Sequence, residues 1–254
     1  MRYSDLIFDL YGTLVDIHTD ENDLVWEKTA FYFGFHGAFY TPAELKTAFR
    51  NRLSGLEASE GQNYECYPDI PVETVFEILF QDKGITDNAE ALAFNASQLF
   101  RIASLDYIRL YPNAKKVLHS LRKSGCRIWL LSNAQRAFTE YELRYLGLLD
   151  CFDGIYISSD FRCRKPDVRF YNTLIQEQNL DIRKCLMIGN DRITDIAGAK
   201  AAGLDTLYMH TDLTPSDQEK ANPALHPAVA GNCHHMEMEG WNWKTLLNAL
   251  DNII

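Results

Sequence analysis

The sequence predicts an α/β fold built on a parallel sheet, and three observations predict it. Short apolar runs alternate with helix-length stretches through the second half of the chain, the pattern of successive strand–helix–strand units. The chain has 254 residues, of which 46% are hydrophobic and 24% charged, enough for one large packed domain or for one domain with a smaller insertion. Polar, carboxylate-rich segments follow the apolar runs, where parallel sheets place their ligands.

Residues 6–8 read as the first strand. Residues 17 to about 108 then break the alternation. Thr41-Pro42-Ala43-Glu44 is a capping box with proline at the first helical position, and a helix through about Leu56 should follow. Residues 55–69 look like a loop, and residues 72–80 and 88–108 carry helical periodicity. The region is expected to be an all-helical insertion (17–108) in a core made of residues 1–16 and 109–254. In the core, strands at 127–131, 154–157, 186–188 and 206–209 alternate with helices at 113–124, 134–146, 167–178 and 193–202. Gly125, Gly147 and Gly203 follow three of those helices, and Pro166 precedes the helix at 167–178. Trp241 and Trp243 precede residues 244–250, expected as a terminal helix docked on the core.

The chemistry clusters at the strand ends. Asp9-Leu10-Tyr11-Gly12-Thr13-Leu14 follows the first strand, and a carboxylate in that position needs a cation or donors to hold it. Gly12 permits a sharp turn, and Thr13 offers a hydroxyl and an N–H to an anion. Ser132 and Asn133 follow the second run, Arg164-Lys165-Pro166-Asp167 the third, and Gly189-Asn190-Asp191 with Asp195 the fourth. Each piece alone has an ordinary structural use: a turn, an N-cap, a solvated lysine, a helix cap. Acid, hydroxyl, cation and acid in that order, each after a strand, is a site.

In these motifs the sequence resembles the haloacid dehalogenase superfamily, the aspartate-nucleophile hydrolases. The matching segments are residues 8–14, 131–133, 165–167 and 189–191 with Asp195, so the likeness covers about residues 1–16 and 110–210. The resemblance implies a Rossmann-like core under a mobile helical cap. It implies that Asp9 is the nucleophile and forms a covalent aspartyl intermediate. It further implies Mg²⁺ held by Asp9, the backbone carbonyl of Tyr11 and Asp191, with Asn190 and Asp195 binding directly or through water. Lys165 would offset the charge of Asp9 and substrate, and Thr13, Ser132 and Asn133 would hold phosphoryl oxygens.

Phosphatases of the superfamily place a second aspartate two positions after the nucleophile, to protonate the leaving oxygen and then activate water. Here that position is Tyr11. A phenol with a pKa of about 10 can donate a proton but is a poor base at pH 7. Tyrosine there resembles the metal-independent L-2-haloacid dehalogenases, in which Arg50 on the cap helix would receive the substrate carboxylate or halide; a solvated cap residue is its plainer reading. The acidic set Asn190, Asp191 and Asp195 resembles the metal-binding branch, because two extra carboxylates near Asp9 repel it unless a cation sits among them. The sequence thus favours a Mg²⁺-dependent phosphohydrolase acting on a small phosphomonoester. The alternatives are a dehalogenase and a catalytically decayed binding protein.

The formal charge of −10 and pI near 5.2 argue against a nucleic-acid or anionic-membrane surface. No apolar run reaches transmembrane length, and no signal-peptide layout is present. The six cysteines include no C-x-x-C pair, which fits a reduced, cytoplasmic chain, monomeric or homodimeric. His226, His234, His235 and Cys233 fit no standard zinc spacing and read as a polar surface loop. The aromatic residues between Phe31 and Tyr40 read as packing for the cap helices, or as an apolar pocket or oligomer contact.

Overall fold

The protein is described from a computed structural model that covers residues 2–61, 67–215, 233–240 and 246. The chain enters through strand β1 (Asp5–Phe8) and a tight turn, then makes β2 (Val15–Thr19). Four helices follow: α1 (Asp23–Phe35), α2 (Pro42–Gly61), α3 (Val72–Gln81) and α4 (Ala89–Ser104). Strand β3 (Leu105–Leu110) returns the chain to the core. There α5 (Ala114–Lys123), β4 (Arg127–Ser132), α6 (Arg136–Tyr145) and β5 (Gly154–Ile157) follow in order. The last elements are α7 (Ser158–Phe161), α8 (Val168–Glu177), β6 (Cys185–Gly189), a π-helical turn (Arg192–Ala197), α9 (Gly198–Ala201), β7 (Asp205–His210) and β8 (His235–Glu239).

The main sheet is parallel in the order β5-β4-β1-β6-β7-β8. Phe8 pairs with Leu130 of β4 on one side and with Ile188 of β6 on the other. Period-2 alternation then sorts the side chains. Leu6, Phe8, Ile128, Leu130, Leu186 and Ile188 pack on one face; Ile7, Trp129, Leu131, Cys185 and Met187 pack on the other. Each fully buried aliphatic or aromatic side chain contributes about 1.5–3 kcal/mol. Connections leave β1 toward β4 and β5, then cross to β6 and β7 on the opposite side. That reversal opens a crevice beyond the C-terminal end of β1, which is where Asp9 stands.

The helices α1–α4 enclose a separate apolar cluster. Val75, Phe76, Leu79 and Phe80 form one stripe of α3, and Ala89, Ala93 and Ala96 give α4 a small-residue face for it. Phe33 and Phe80 stack at 3.9 Å. The capping box forms as expected: Thr41 N–H donates to Glu44 Oε2 at 2.7 Å and Glu44 N–H to Thr41 Oγ1 at 3.3 Å. The aromatic segment divides, with Phe33 buried and Phe31, Phe35 and Phe39 exposed.

Several boundaries differ from the expectation. Helix α2 runs to Gly61, so residues 55–61 are not a loop. A lone exposed glycine costs about 1 kcal/mol in a helix and does not end it among good helix formers. Residues 105–108 are strand rather than helix, and β3 pairs antiparallel with β2. The insertion is therefore not all-helical, and its expected limits, 16/17 and 108/109, fall inside that two-stranded ribbon. Residues 235–239 form the sheet's edge strand, not a surface loop, with Thr206 Oγ1 and His235 Nδ1 2.9 Å apart. His226, Trp241, Trp243 and the expected terminal helix lie outside the described residues, save for buried, helical Leu246.

Candidate active site

Asp9 is the residue after β1, and its N–H continues the strand pairing by donating to Ile188 O at 3.0 Å. The chain then turns back. Gly12 N–H donates to Val15 O at 2.8 Å and Val15 N–H to Leu10 O at 2.9 Å. Gly12 has φ +83°, and a Cβ there would lie 2.3 Å from Asn190 Nδ2. Both conformation and space therefore require glycine. The Gly12→Ala variant is expected to lose about 2–4 kcal/mol of stability, read from its denaturant midpoint.

Lys165 is fully buried, and Nζ reaches both Asp9 Oδ1 at 2.8 Å and Asp195 Oδ1 at 2.6 Å. The two attractions outweigh desolvation, which lowers a lysine pKa, and hold the ammonium above its usual range. Asn133 fixes the backbone that carries it: Lys165 N–H donates to Asn133 Oδ1 at 2.8 Å and Asn133 Nδ2 donates to Lys165 O at 2.9 Å. The side chain of Asn133 thus holds the backbone of Lys165 through both its polar atoms.

The fourth strand end is organised by its own carboxylates. Asp191 Oδ1 caps the π-helical turn, accepting from Ile193 N–H and Thr194 N–H at 2.7 Å each. Asp195 Oδ2 accepts from Asp191 N–H at 2.9 Å. Burial, and then the charge of Asp9, push the Asp195 carboxyl up to about 7 against the pull of Lys165. Asn190 accepts from Thr13 Oγ1 at 3.1 Å and donates to Leu213 O at 3.1 Å. Asn190 and Asp195, expected among the metal ligands, therefore have both polar side-chain atoms engaged by protein.

Ser132 closes β4, the strand beside β1. Its Oγ is buried and has no hydrogen-bond partner among the described residues. An unpaired buried hydroxyl costs about 1–3 kcal/mol, and such groups mark places where a ligand is bound.

Two expected side chains are not hydrogen-bonded to this cluster, although the Tyr11 backbone lies two residues from Asp9. The Tyr11 hydroxyl donates to Glu142 Oε2 at 2.5 Å and lies 3.0 Å from Thr139 Oγ1, while burial raises its pKa further. A proton committed to a carboxylate is not available for a leaving group. Arg50 is exposed on α2 and makes no hydrogen bond or ion pair with the Asp9 cluster.

The structure adds residues the sequence did not single out. Asp69, from the α2–α3 connection, accepts from Gln135 Nε2 at 2.9 Å and from Ser158 Oγ, and Gln135 Oε1 accepts from Val72 N–H at 2.9 Å. Burial raises the Asp69 carboxyl. Arg101 of α4 pairs with Glu142 of α6 at 2.6 Å. The visible signal for Glu142 is a lone carboxylate on the α6 face that buries Ala137, Thr139 and Leu143.

Among the described residues, no three His, Cys, Asp or Glu side chains are gathered as a ready metal cage. Magnesium does not need one, since it commonly takes one or two carboxylates and completes its shell with water and substrate oxygens. Two carboxylates, Asp9 and Asp195, meet one ammonium, Lys165, and the backbone N–H of a third acidic residue, Asp191, donates to Asp195. That excess of negative charge in a largely buried place suits a divalent cation.

The chain is 26% identical over 204 residues to a glyceraldehyde 3-phosphate phosphatase of Pyrococcus abyssi, covering 80% of each chain. It is 32% identical to the putative HAD-hydrolase YfnB of Bacillus subtilis, over 86% of this chain and 88% of that one. A crystal structure of YfnB bound to magnesium superposes over 99% of this chain and 100% of that one, with a TM-score of 0.54 and 22% identity. A 2-haloacid dehalogenase from Pseudomonas syringae pv. Tomato shares the fold with a TM-score of 0.67 at 21% identity, over 99% and 100% of the two chains. The sequence model of haloacid dehalogenase-like hydrolases matches residues 6–203. With that match spanning most of its length, the chain belongs to the haloacid dehalogenase-like hydrolase family.

Proposed function

We propose that the protein is a Mg²⁺-dependent phosphohydrolase acting on a small phosphomonoester through an aspartyl-phosphate intermediate on Asp9. The observation that carries this reading is Lys165, buried and bridging Asp9 and Asp195, together with the buried Ser132 hydroxyl at the end of the strand next to β1, which has no hydrogen-bond partner among the described residues. The phosphatase name of the Pyrococcus relative and the magnesium in YfnB support it.

Asp9 and Asp191, with the Tyr11 carbonyl, would hold the ion, which when bound adds positive charge opposite the phosphoryl oxygens. Lys165 orients the Asp9 carboxylate and offsets its charge. Ser132 Oγ donates to a phosphoryl oxygen, with Thr13 beside it. Asp9 attacks phosphorus, the bond to the leaving oxygen breaks and that oxygen takes its proton from solvent; water then bonds to phosphorus as the Asp9 O–P bond breaks, giving phosphate, a proton to solvent and the free carboxylate. Asp195, Asn190 and Asn133 keep these groups in place. The helices α1–α4 act as a cap that sets substrate size.

The test is phosphate release from p-nitrophenyl phosphate. Magnesium should be required, and chelator should abolish release. Full activity in chelator overturns the reading, as does metal-free halide release from 2-chloropropionate. With the Tyr11 proton held by Glu142, nitrophenyl phosphate should turn over faster than an alkyl phosphate, whose leaving group needs a proton more.

Metal removal also has a signature in stability. The Asp195 carboxyl lies above the ordinary aspartate value of about 3.9, so the folded state binds that proton more tightly than the unfolded one. Its contribution is complete below about 4 and is lost as pH rises through about 7. Metal-free protein should be about 1 kcal/mol less stable at pH 8 than at pH 6 from this group. Thermal denaturation should register the difference, Asp195→Asn should remove it, and magnesium at 100 times its Kd should raise stability by about 2.7 kcal/mol.

A further inference from the structure

A buried carboxylate on an apolar helix face needs donors, and Glu142 draws its donors from different parts of the fold. Arg101 Nε donates to Oε1 at 2.6 Å and Nη2 to Oε2 at 3.1 Å, while Tyr11 donates to the same Oε2. The Arg101 guanidinium also lies over the Phe138 ring at 4.7 Å and the Tyr11 ring at 5.6 Å. Arg101 projects from α4, which packs in the helical cluster through Ala93, Ala96 and Phe100. Glu142 belongs to α6, and Tyr11 to the turn just after Asp9. A second tie joins the same two helices, Gln98 Nε2 donating to Ala137 O at 3.3 Å.

We propose that Arg101, Glu142 and Tyr11 form a latch that couples the seating of the helical insertion to the placement of the nucleophile turn, with Tyr11 a positioning residue. Its consequence for turnover rests on the phosphohydrolase reading. If α4 moves away, Glu142 loses the guanidinium and keeps the Tyr11 hydroxyl, so opening must either rehydrate both charges or leave a carboxylate unpaired. The seated insertion is therefore favoured together with the ordered turn, and each state stabilises the other. The cation is supplied only when the insertion is in place, so Asp9 is held in its working position when the site is covered.

The experiment uses the full chain with magnesium, comparing p-nitrophenyl phosphate and glycerol phosphate as substrates. Tyr11→Phe and Arg101→Met should each lower kcat about 10-fold with KM little changed. The factor should be the same for both substrates, and the double variant should lose little more than either single one. Arg101→Lys should recover part of kcat. A Tyr11→Phe loss confined to glycerol phosphate would identify Tyr11 as the acid and overturn the latch. An independent readout is amide hydrogen exchange. Arg101→Met should speed exchange at residues 98–105 and also at 10–15, and unchanged exchange at 10–15 overturns the proposal whatever the activity. Should Arg101→Met fail to fold, Tyr11→Phe, which deletes one hydroxyl, takes the same exchange test at residues 10–15 and 139–145. A wild-type protein that releases no phosphate would sink the phosphohydrolase reading and leave the exchange test intact.

Discussion

Replacing Asp9 by Asn is expected to lower magnesium-dependent phosphate release by about 10⁴-fold or more, the scale on which loss of a covalent nucleophile is felt. The amide is close to isosteric but is not a nucleophile, and it removes one of the two charges bound to Lys165. The protein should nevertheless fold. Lys165 keeps its 2.6 Å pair with Asp195, and Asp195 loses the neighbour whose charge helps raise its carboxyl pKa. Metal-free Asp9→Asn should therefore melt at the wild-type temperature or above it. Loss of activity with stability retained would separate chemistry from folding, since groups that crowd like charges for catalysis do so at the expense of the fold. Residual release within 10-fold of wild type would remove Asp9 from the role of nucleophile. A large fall in melting temperature would make it a structural residue.

How the position could be read in advance is a matter of local rules. Strand periodicity, a turn demanding Gly12 and a carboxylate at a strand end all act over a few residues, so the positions of Asp9, Ser132, Lys165 and Asp191 beside strand ends are legible in order along the chain. The sheet strands β1, β4, β5, β6 and β7 were legible for the same reason: each is a short apolar run bounded by polar turns. What failed depended on distant partners. Residues 105–110 carry enough apolar character for helix or strand, and pairing with Val15–Thr19 decides for strand. His235–Glu239 is polar and becomes a strand because β7 offers it an edge. Asn133, Asn190 and Asp195 carry hydrogen bonds that sequence order does not reveal. Sequence order counts them with the ligands, while three-dimensional hydrogen bonding engages them in holding Lys165 and Thr13. Glu142 and Arg101 lie 41 residues apart in sequence, with no motif joining them.

The insertion touches the core through ties of differing kind. Near Asp69, Gln135 and Ser158 the tie is hydrogen-bonded and follows the α2–α3 connection, and the partly exposed pairs Arg162–Glu60 at 3.3 Å and Arg164–Glu57 at 3.9 Å add to it. At Arg101 and Glu142 it is a buried ion pair, 14% and 7% exposed, so opening there must either rehydrate both charges or leave one unpaired. The two ties therefore differ in cost, and the ribbon β2–β3 between them is the shared link to both units.

Lys165 carries the second large effect, and here stability and chemistry fall together. It is 1% exposed and is the one cation in hydrogen-bond contact with Asp9 and Asp195 among the described residues. Lys165→Met keeps the length of the side chain and removes the charge, leaving buried carboxylates unpaired. Breaking a buried pair in this way costs roughly 3–5 kcal/mol. For a chain of this size the loss corresponds to a fall in melting temperature of roughly 6–20 °C. The pH dependence fixes the cause. Without the ammonium, the Asp195 carboxyl is raised further, so its proton is held more tightly in the folded state and the variant should regain stability as pH falls. Combining Lys165→Met with Asp9→Asn removes one of the stranded charges, and the pair should be less destabilised than the sum of the two changes by about 0.5–3 kcal/mol. Activity should not return with stability, because the double variant also lacks the nucleophile; in Lys165→Met alone the phosphoryl transfer lacks its fixed positive charge, and kcat at saturating magnesium should lie at least about 100-fold below wild type. A Lys165→Met protein that melts as the wild type does, with no gain on acidification, would show that the carboxylates are compensated by some other group and that Lys165 is not what holds Asp9.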